Sequence, residues 1–132
     1  MQVFISHAGA DQGLARELAN RLAEAGYEAW TNEELFPGDN WALEMGKALE
    51  RSEAMIVLVS PESTRSEQVN RDIQFAIGSL QYENRLIPVQ VRKTVGVPRS
   101  LDRFQPIPGE GGAEEISRRV LERLQAAGEV AR

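Results

Sequence analysis

The chain has 132 residues, enough for one domain with its own core, and its 42% hydrophobic and 27% charged residues are ordinary globular composition. It has no cysteine and a single histidine, His7, which excludes disulfides, thiolate nucleophiles, Cys-ligated metals and a His-pair metal site; no metal is expected, and a carboxylate-only site would suit Mg or Ca at best. Fifteen scattered Lys and Arg stand against twenty Asp and Glu, so the net charge of −5 reads as solubility and not as a nucleic-acid groove.

No apolar run approaches the ~20 residues of a membrane helix, so no membrane partner is expected. Met1 to Ile5 has neither a basic stretch nor a small-residue cleavage site, and is read as lacking a signal peptide. A reducing, cytoplasmic setting fits these features. No repeat or linker divides the chain, so residues 1–132 are expected to be a single domain with its core at about 2–125.

Val3-Phe4-Ile5 reads as a buried strand, followed by a small-residue loop. Asp11 is placed to cap a helix over 11–25, whose Leu14, Leu18, Leu22 and Ala25 recur on one side and which Gly26 closes. Tyr27 to Thr31 is a second strand, with Trp30 read as core. The polar loop 32–40 carries the Pro37-Gly38 turn, and 41–51 reads as a second helix.

The apolar run Ala54 to Val59 has the character of a central parallel strand covered on both faces, and Ser60-Pro61 ends it. Residues 67–80 form a third helix with Val69, Ile73, Ala76, Ile77 and Leu80 on one stripe. Residues 85–91 are a fourth strand and 92–103 a loop. A short edge strand at 104–107 and a last helix at 113–127, with Ile116, Val120, Leu121 and Leu124 inward, complete the chain.

This alternation predicts an α/β fold: a flavodoxin-like, doubly wound, five-stranded parallel sheet with helices on both faces. Ligands of such sheets bind beyond the carboxyl ends of the strands, here the loops at 6–11, 32–40, 60–66 and 92–103. G-x-G-x-x-G, the P-loop and G-x-S-x-G are all absent, which argues against Rossmann dinucleotide binding, P-loop chemistry and a serine hydrolase. A phosphorelay receiver would need acidic residues where Ser6-His7-Ala8 and Ser60-Pro61 stand.

Three segments together resemble the TIR (Toll/interleukin-1 receptor) domain. They are Val3-Phe4-Ile5-Ser6-His7-Ala8 with Asp11; Tyr27-Glu28-Ala29-Trp30 followed by Glu34-Leu35-Phe36-Pro37-Gly38-Asp39-Asn40-Trp41; and Ile56-Val57-Leu58-Val59-Ser60-Pro61 with Ser63 and Ser66. The Ile-Ser-His opening is similar to that of bacterial and plant-like members, and Glu34 to Asp39 resembles the BB loop, through which family members meet one another.

The resemblance implies cleavage of NAD+, as substrate and not as cofactor, at the nicotinamide–ribose bond. The products are nicotinamide and ADP-ribose or a cyclic form, made in bacterial immune defence or signalling. It also implies self-association with other TIR domains. The family's catalytic carboxylate is a glutamate in a W-x-x-x-E run on the third helix. Here that run reads Gln68-Val69-Asn70-Arg71-Asp72, so both ends depart and Asp72 is the catalytic candidate.

Nicotinamide leaves a pyridinium as a neutral molecule, so the leaving group needs no general acid. One carboxylate can stabilise the oxocarbenium-like ribose that remains. Asp is a methylene shorter than Glu, and a displacement of about 1 Å can slow a reaction ~10²-fold. Glu67 is an alternative carboxylate on another helical face.

Candidate ligand-binding residues are Ser6, His7, Phe36, Trp41, Ser60 and Gln68, with Arg65 and Arg71 as the nearest cations for a pyrophosphate. The alternative reading is a catalytically weak or inactive TIR interaction module whose loop at 32–41 is the docking surface. A third is a nucleoside deoxyribosyltransferase-like enzyme, which shares the fold and the N-glycosidic chemistry.

Overall fold

The computed structural model describes residues 2–31, 47, 51–78, 85–92 and 99–130. Five strands form one parallel sheet: β1 (Gln2–Ser6), β2 (Glu28–Thr31), β3 (Ala54–Val59), β4 (Leu86–Gln90) and β5 (Ile107–Pro108), in the order β2-β1-β3-β4-β5. That order is the doubly wound, flavodoxin-like one expected from the sequence. The helices are α1 (Gln12–Glu24), the one-turn α2 (Pro61–Thr64), α3 (Glu67–Ile77) and α4 (Gly112–Val130). The expected helix at 41–51 lies outside the described residues, except for Lys47 and Arg51.

The period-2 alternation of the strands divides the core between two faces. Val3 and Ile5 of β1, Ala54, Ile56 and Leu58 of β3, and Ile87 and Val89 of β4 pack under Ala15, Leu18 and Leu22 of α1 and Ile116, Val120 and Leu124 of α4. Phe4, Met55, Val57 and Val59 point the other way, under Val69, Ile73 and Ala76 of α3 and Leu101 of a 3-10 turn (Arg99–Phe104). β3 is buried at every residue, as its unbroken apolar run requires of a strand covered on both sides.

Several expectations are corrected. Leu14 packs against the core as expected, partly buried beside the fully buried Ala15, but Ala25 is exposed because the helix has already ended there. Gly26 follows at a φ of 95°, the left-handed conformation that glycine adopts at low cost. Trp30 is not core. β2 is an edge strand, so Trp30 is only partly buried against the α3 side, and its Nε1 donates to Glu28 Oε1 at 3.1 Å.

The segment after β3 contains α2, which has Pro61 in its first turn. Its capping box joins the Ser60 side chain to the Ser63 backbone, and the Ser63 hydroxyl to the Ser60 backbone. Phe104 belongs to the 3-10 turn, so the edge strand begins only at Ile107.

Candidate functional site

β1 delivers Ser6 to the carboxyl edge of the sheet. Ser6 continues the alternation of Phe4 and therefore points to the α3 face. α3 answers with Asp72, which lies beside the Val69–Ile73–Ala76 stripe and is 1% exposed. Ser6 Oγ donates to Asp72 Oδ2 at 2.7 Å, and Gln68 Nε2, one turn earlier on α3, donates to Asp72 Oδ1 at 2.8 Å. The helix that carries both is started by Ser66, whose side chain accepts from the Val69 N–H.

Burial pushes the Asp72 carboxyl up to about 6, against the pull of the Ser6 and Gln68 hydrogen bonds. The group is thus an anion at neutral pH that sits close to its protonation midpoint. A carboxylate in a poorly hydrated, pre-set position is the kind of group that can stabilise a developing positive charge.

A second buried carboxylate lies on the other face. Ser60, one residue past β3, donates through Oγ to Asp11 Oδ2 at 2.5 Å. Arg92, two residues past β4, reaches Asp11 Oδ1 at 3.1 Å and Glu62 Oε2 at 2.5 Å. This overturns the expected helix cap. Asp11 stands at the N-cap position of α1, but its side chain makes no capping bond and is committed instead to Ser60 and Arg92. Glu62 is held below the usual carboxylate range, chiefly by a backbone hydrogen bond and then by Arg92.

The structure therefore brings together Ser6, Gln68 and Asp72 in one cluster, and Ser60 in another. His7 is buried at the same edge. Arg65 and Arg71 are exposed on the α3 side, as is Glu67, and among the described residues Arg92 is a cation built into the strand edge. Sequence reasoning placed Asp11 and Arg92 within the strand-exit loops 6–11 and 92–103 but did not single them out as site residues. Their signal was position alone, each lying within a few residues of a strand exit. Phe36, Trp41 and the Glu34 to Asp39 segment lie outside the described residues.

A parallel 2-1-3-4-5 sheet with a hydrogen-bonded carboxylate at its carboxyl edge defines a doubly wound α/β domain with a candidate site at its strand ends. Within that class, residues 3–125 match the TIR domain family, and the chain belongs to it.

Among solved structures it is similar to the TIR domain of the Toll-related receptor TRR-2 from Hydra magnipapillata. The two are 24% identical with a TM-score of 0.73, over 92% of this chain and 94% of that one. It is also similar to the TIR domains of the activated Roq1 resistosome that recognises the pathogen effector XopQ. These are 23% identical with a TM-score of 0.58, over 92% of this chain and 70% of that one. At these identities the likeness is one of fold. No curated protein matches the chain. No helix among the described residues is long and apolar enough to cross a membrane.

Proposed function

We propose that this domain is a NAD+ glycohydrolase of bacterial TIR type, acting in the cytoplasm in immune defence or signalling, with Asp72 as its catalytic carboxylate. The observation that carries the reading is the Asp72 carboxylate, buried at the strand edge and oriented by Ser6 and Gln68. In the reaction the C1′–N bond of NAD+ breaks and nicotinamide departs with the bonding pair. The ribose cation is stabilised by the carboxylate and captured by water, with loss of one proton to solvent, to give ADP-ribose; capture by a group of the same molecule gives a cyclic product instead. A low-dielectric setting strengthens the attraction between the carboxylate and the cation. Self-association through the Glu34 to Asp39 segment accompanies this reading, as the family resemblance implies.

One observation favours a second reading. Both Asp72 oxygens already accept a hydrogen bond within the domain, as a purely structural carboxylate would. On that reading the domain is an interaction module that works through TIR–TIR contacts.

The deciding measurement is nicotinamide release from NAD+ by concentrated protein. The wild type is expected to release nicotinamide, and Asp72→Ala to lose on the order of 10²-fold or more, the usual effect of removing a pre-set electrostatic group. A silent wild type that self-associates supports the interaction module. Activity that survives Asp72→Ala removes Asp72 from the site.

A further inference from the structure

The two positions at which this chain departs from the W-x-x-x-E run touch each other. Gln68 and Asp72 are four residues apart on α3, so their side chains lie on one face of the helix, one turn apart. The amide of one donates to the carboxylate of the other at 2.8 Å. Ser6, from a different element, donates to the opposite oxygen at 2.7 Å. Two donors from two directions fix the carboxylate plane, which a single bond leaves free to turn. An ionised carboxyl offers about four acceptor sites, so each oxygen keeps spare capacity for a ligand hydroxyl.

We infer that Gln68 is the positioning residue for Asp72 in the proposed NAD+ cleavage, and that the two departures are coupled, the amide at 68 setting the orientation of the shortened carboxylate at 72. This rests on the functional reading above. A glutamate at 72 carries its carboxylate about one C–C bond, ~1.5 Å, further from the helix and past both donors. A tryptophan at 68 replaces a flexible amide with a rigid indole whose only donor is one ring N–H. Each single change back to the family residue therefore breaks the present arrangement, whereas both together restore a different one.

The groups that set the charge state of Asp72 are few. Burial raises its pKa, and Ser6 of β1 and Gln68 of α3 lower it, with no charged side chain contributing among the described residues. Glu67 and Arg71, its charged neighbours on α3, are exposed, and His7 follows Ser6 in the chain.

The test joins an NMR titration of the Asp72 carboxyl carbon with pH–rate profiles of NAD+ cleavage. Gln68→Leu is expected to raise the Asp72 midpoint by about one pH unit, the size of one lost charge-assisted hydrogen bond. The acid limb of kcat should move with it, kcat should fall about tenfold, and KM should change little. Gln68→Asn, which keeps the amide but draws it back, should shift in the same direction and guards against a folding defect in the leucine variant. Asp72→Glu alone should be slower than the wild type, and the Gln68→Trp, Asp72→Glu double variant faster than either single one. An unmoved Asp72 midpoint in Gln68→Leu, or an Asp72→Glu protein at least as active as the wild type, overturns the coupling. A wild type that releases no nicotinamide overturns the functional reading instead, and the titration alone then decides whether Gln68 positions Asp72.

Discussion

Ser60 Oγ donates to Asp11 Oδ2 on the α1 side of the sheet, as Ser6 Oγ donates to Asp72 Oδ2 on the α3 side. Each serine ends or follows one of two neighbouring central strands, and each holds a buried carboxylate supplied by the next layer. The parity of the strand decides which face each serine serves. Ser6 follows Phe4 toward α3, and Ser60 follows Leu58 toward α1. The strand edge is therefore tied to a layer on each side by one short hydrogen bond.

The Asp11 tie has a stability consequence. Arg92 is half-exposed, whereas the Asp11 side chain is buried, so Arg92→Met leaves a buried carboxylate that keeps its Ser60 hydrogen bond but loses its ion pair. A fully buried pair broken in this way loses several kcal/mol; solvent around Arg92 reduces the expected loss to about 1–2 kcal/mol. Urea denaturation at neutral pH of Arg92→Met, Asp11→Asn and the double variant measures it. The double variant should lose less than the sum of the singles by about 1 kcal/mol, the expected coupling of a partly screened pair. Strict additivity would show that the pair carries no net interaction.

Asp72 should leave a signature in the pH dependence of stability. Its folded-state carboxyl is raised from 3.8 to about 6, so between those values the folded protein binds more proton than the unfolded chain. The burial penalty is therefore fully present above about pH 6, fades as the pH falls through that window and is gone below about pH 4. At 1.36 kcal/mol per unit the swing is on the order of 2–3 kcal/mol. Asp72→Asn removes it, and subtracting the two stability curves cancels every other titrating group. The difference should grow in favour of the asparagine variant from about pH 4 to about pH 6 and level off above it. A flat difference curve would mean that Asp72 does not titrate in this window.

The strand–helix alternation was legible because each strand and helix buries a clean stripe, and β3 announced its central place by having no polar residue at all. Gln68 and Asp72 were legible as a pair only by spacing. Their direct hydrogen bond depends on rotamers and on Ser6, sixty-six residues away from Asp72, which no local pattern encodes. Asp11 misled for the same reason. An aspartate before a helix has a local capping role, and a long-range partner just past β3 displaced it. Trp30 misled because alternation reports which way a side chain points, not whether its strand lies at the sheet edge.

Gly109 should be intolerant of any side chain. A Cβ there would meet the Gln90 carbonyl oxygen, and Val91 O and Cα at 2.8 and 2.9 Å. All are backbone atoms of the segment that ends β4, so none can swing aside. Gly109→Ala is expected to cost about 1–3 kcal/mol, the range for forced overpacking, and to loosen the pairing of β5 with Val89 and Gln90. Amide hydrogen exchange at Ile107 and nearby residues should quicken by more than in the β1·β3 ladder. Unchanged exchange together with unchanged melting would show that the segment adapts freely.

Ser6→Ala tests whether the Ser6–Asp72 bond stabilises a charge or merely fills space. Ser6 is fully buried, and removing its hydroxyl takes one donor from an ionised carboxyl that burial already disfavours. A hydrogen bond to a charged group contributes about 1.5–3 kcal/mol, one to a neutral group nearer 1 kcal/mol. The loss in Ser6→Ala should therefore be larger at pH 7.5, where Asp72 is ionised, than at pH 4, where it is protonated. Ser6→Thr keeps a hydroxyl and adds a methyl in a packed layer, so its loss should come from overpacking and be nearly independent of pH. Denaturation of the three proteins at both pH values separates the cases. Equal losses for Ser6→Ala at pH 4 and pH 7.5 would assign the hydroxyl a packing role and leave Gln68 as the donor that sets the charge of Asp72.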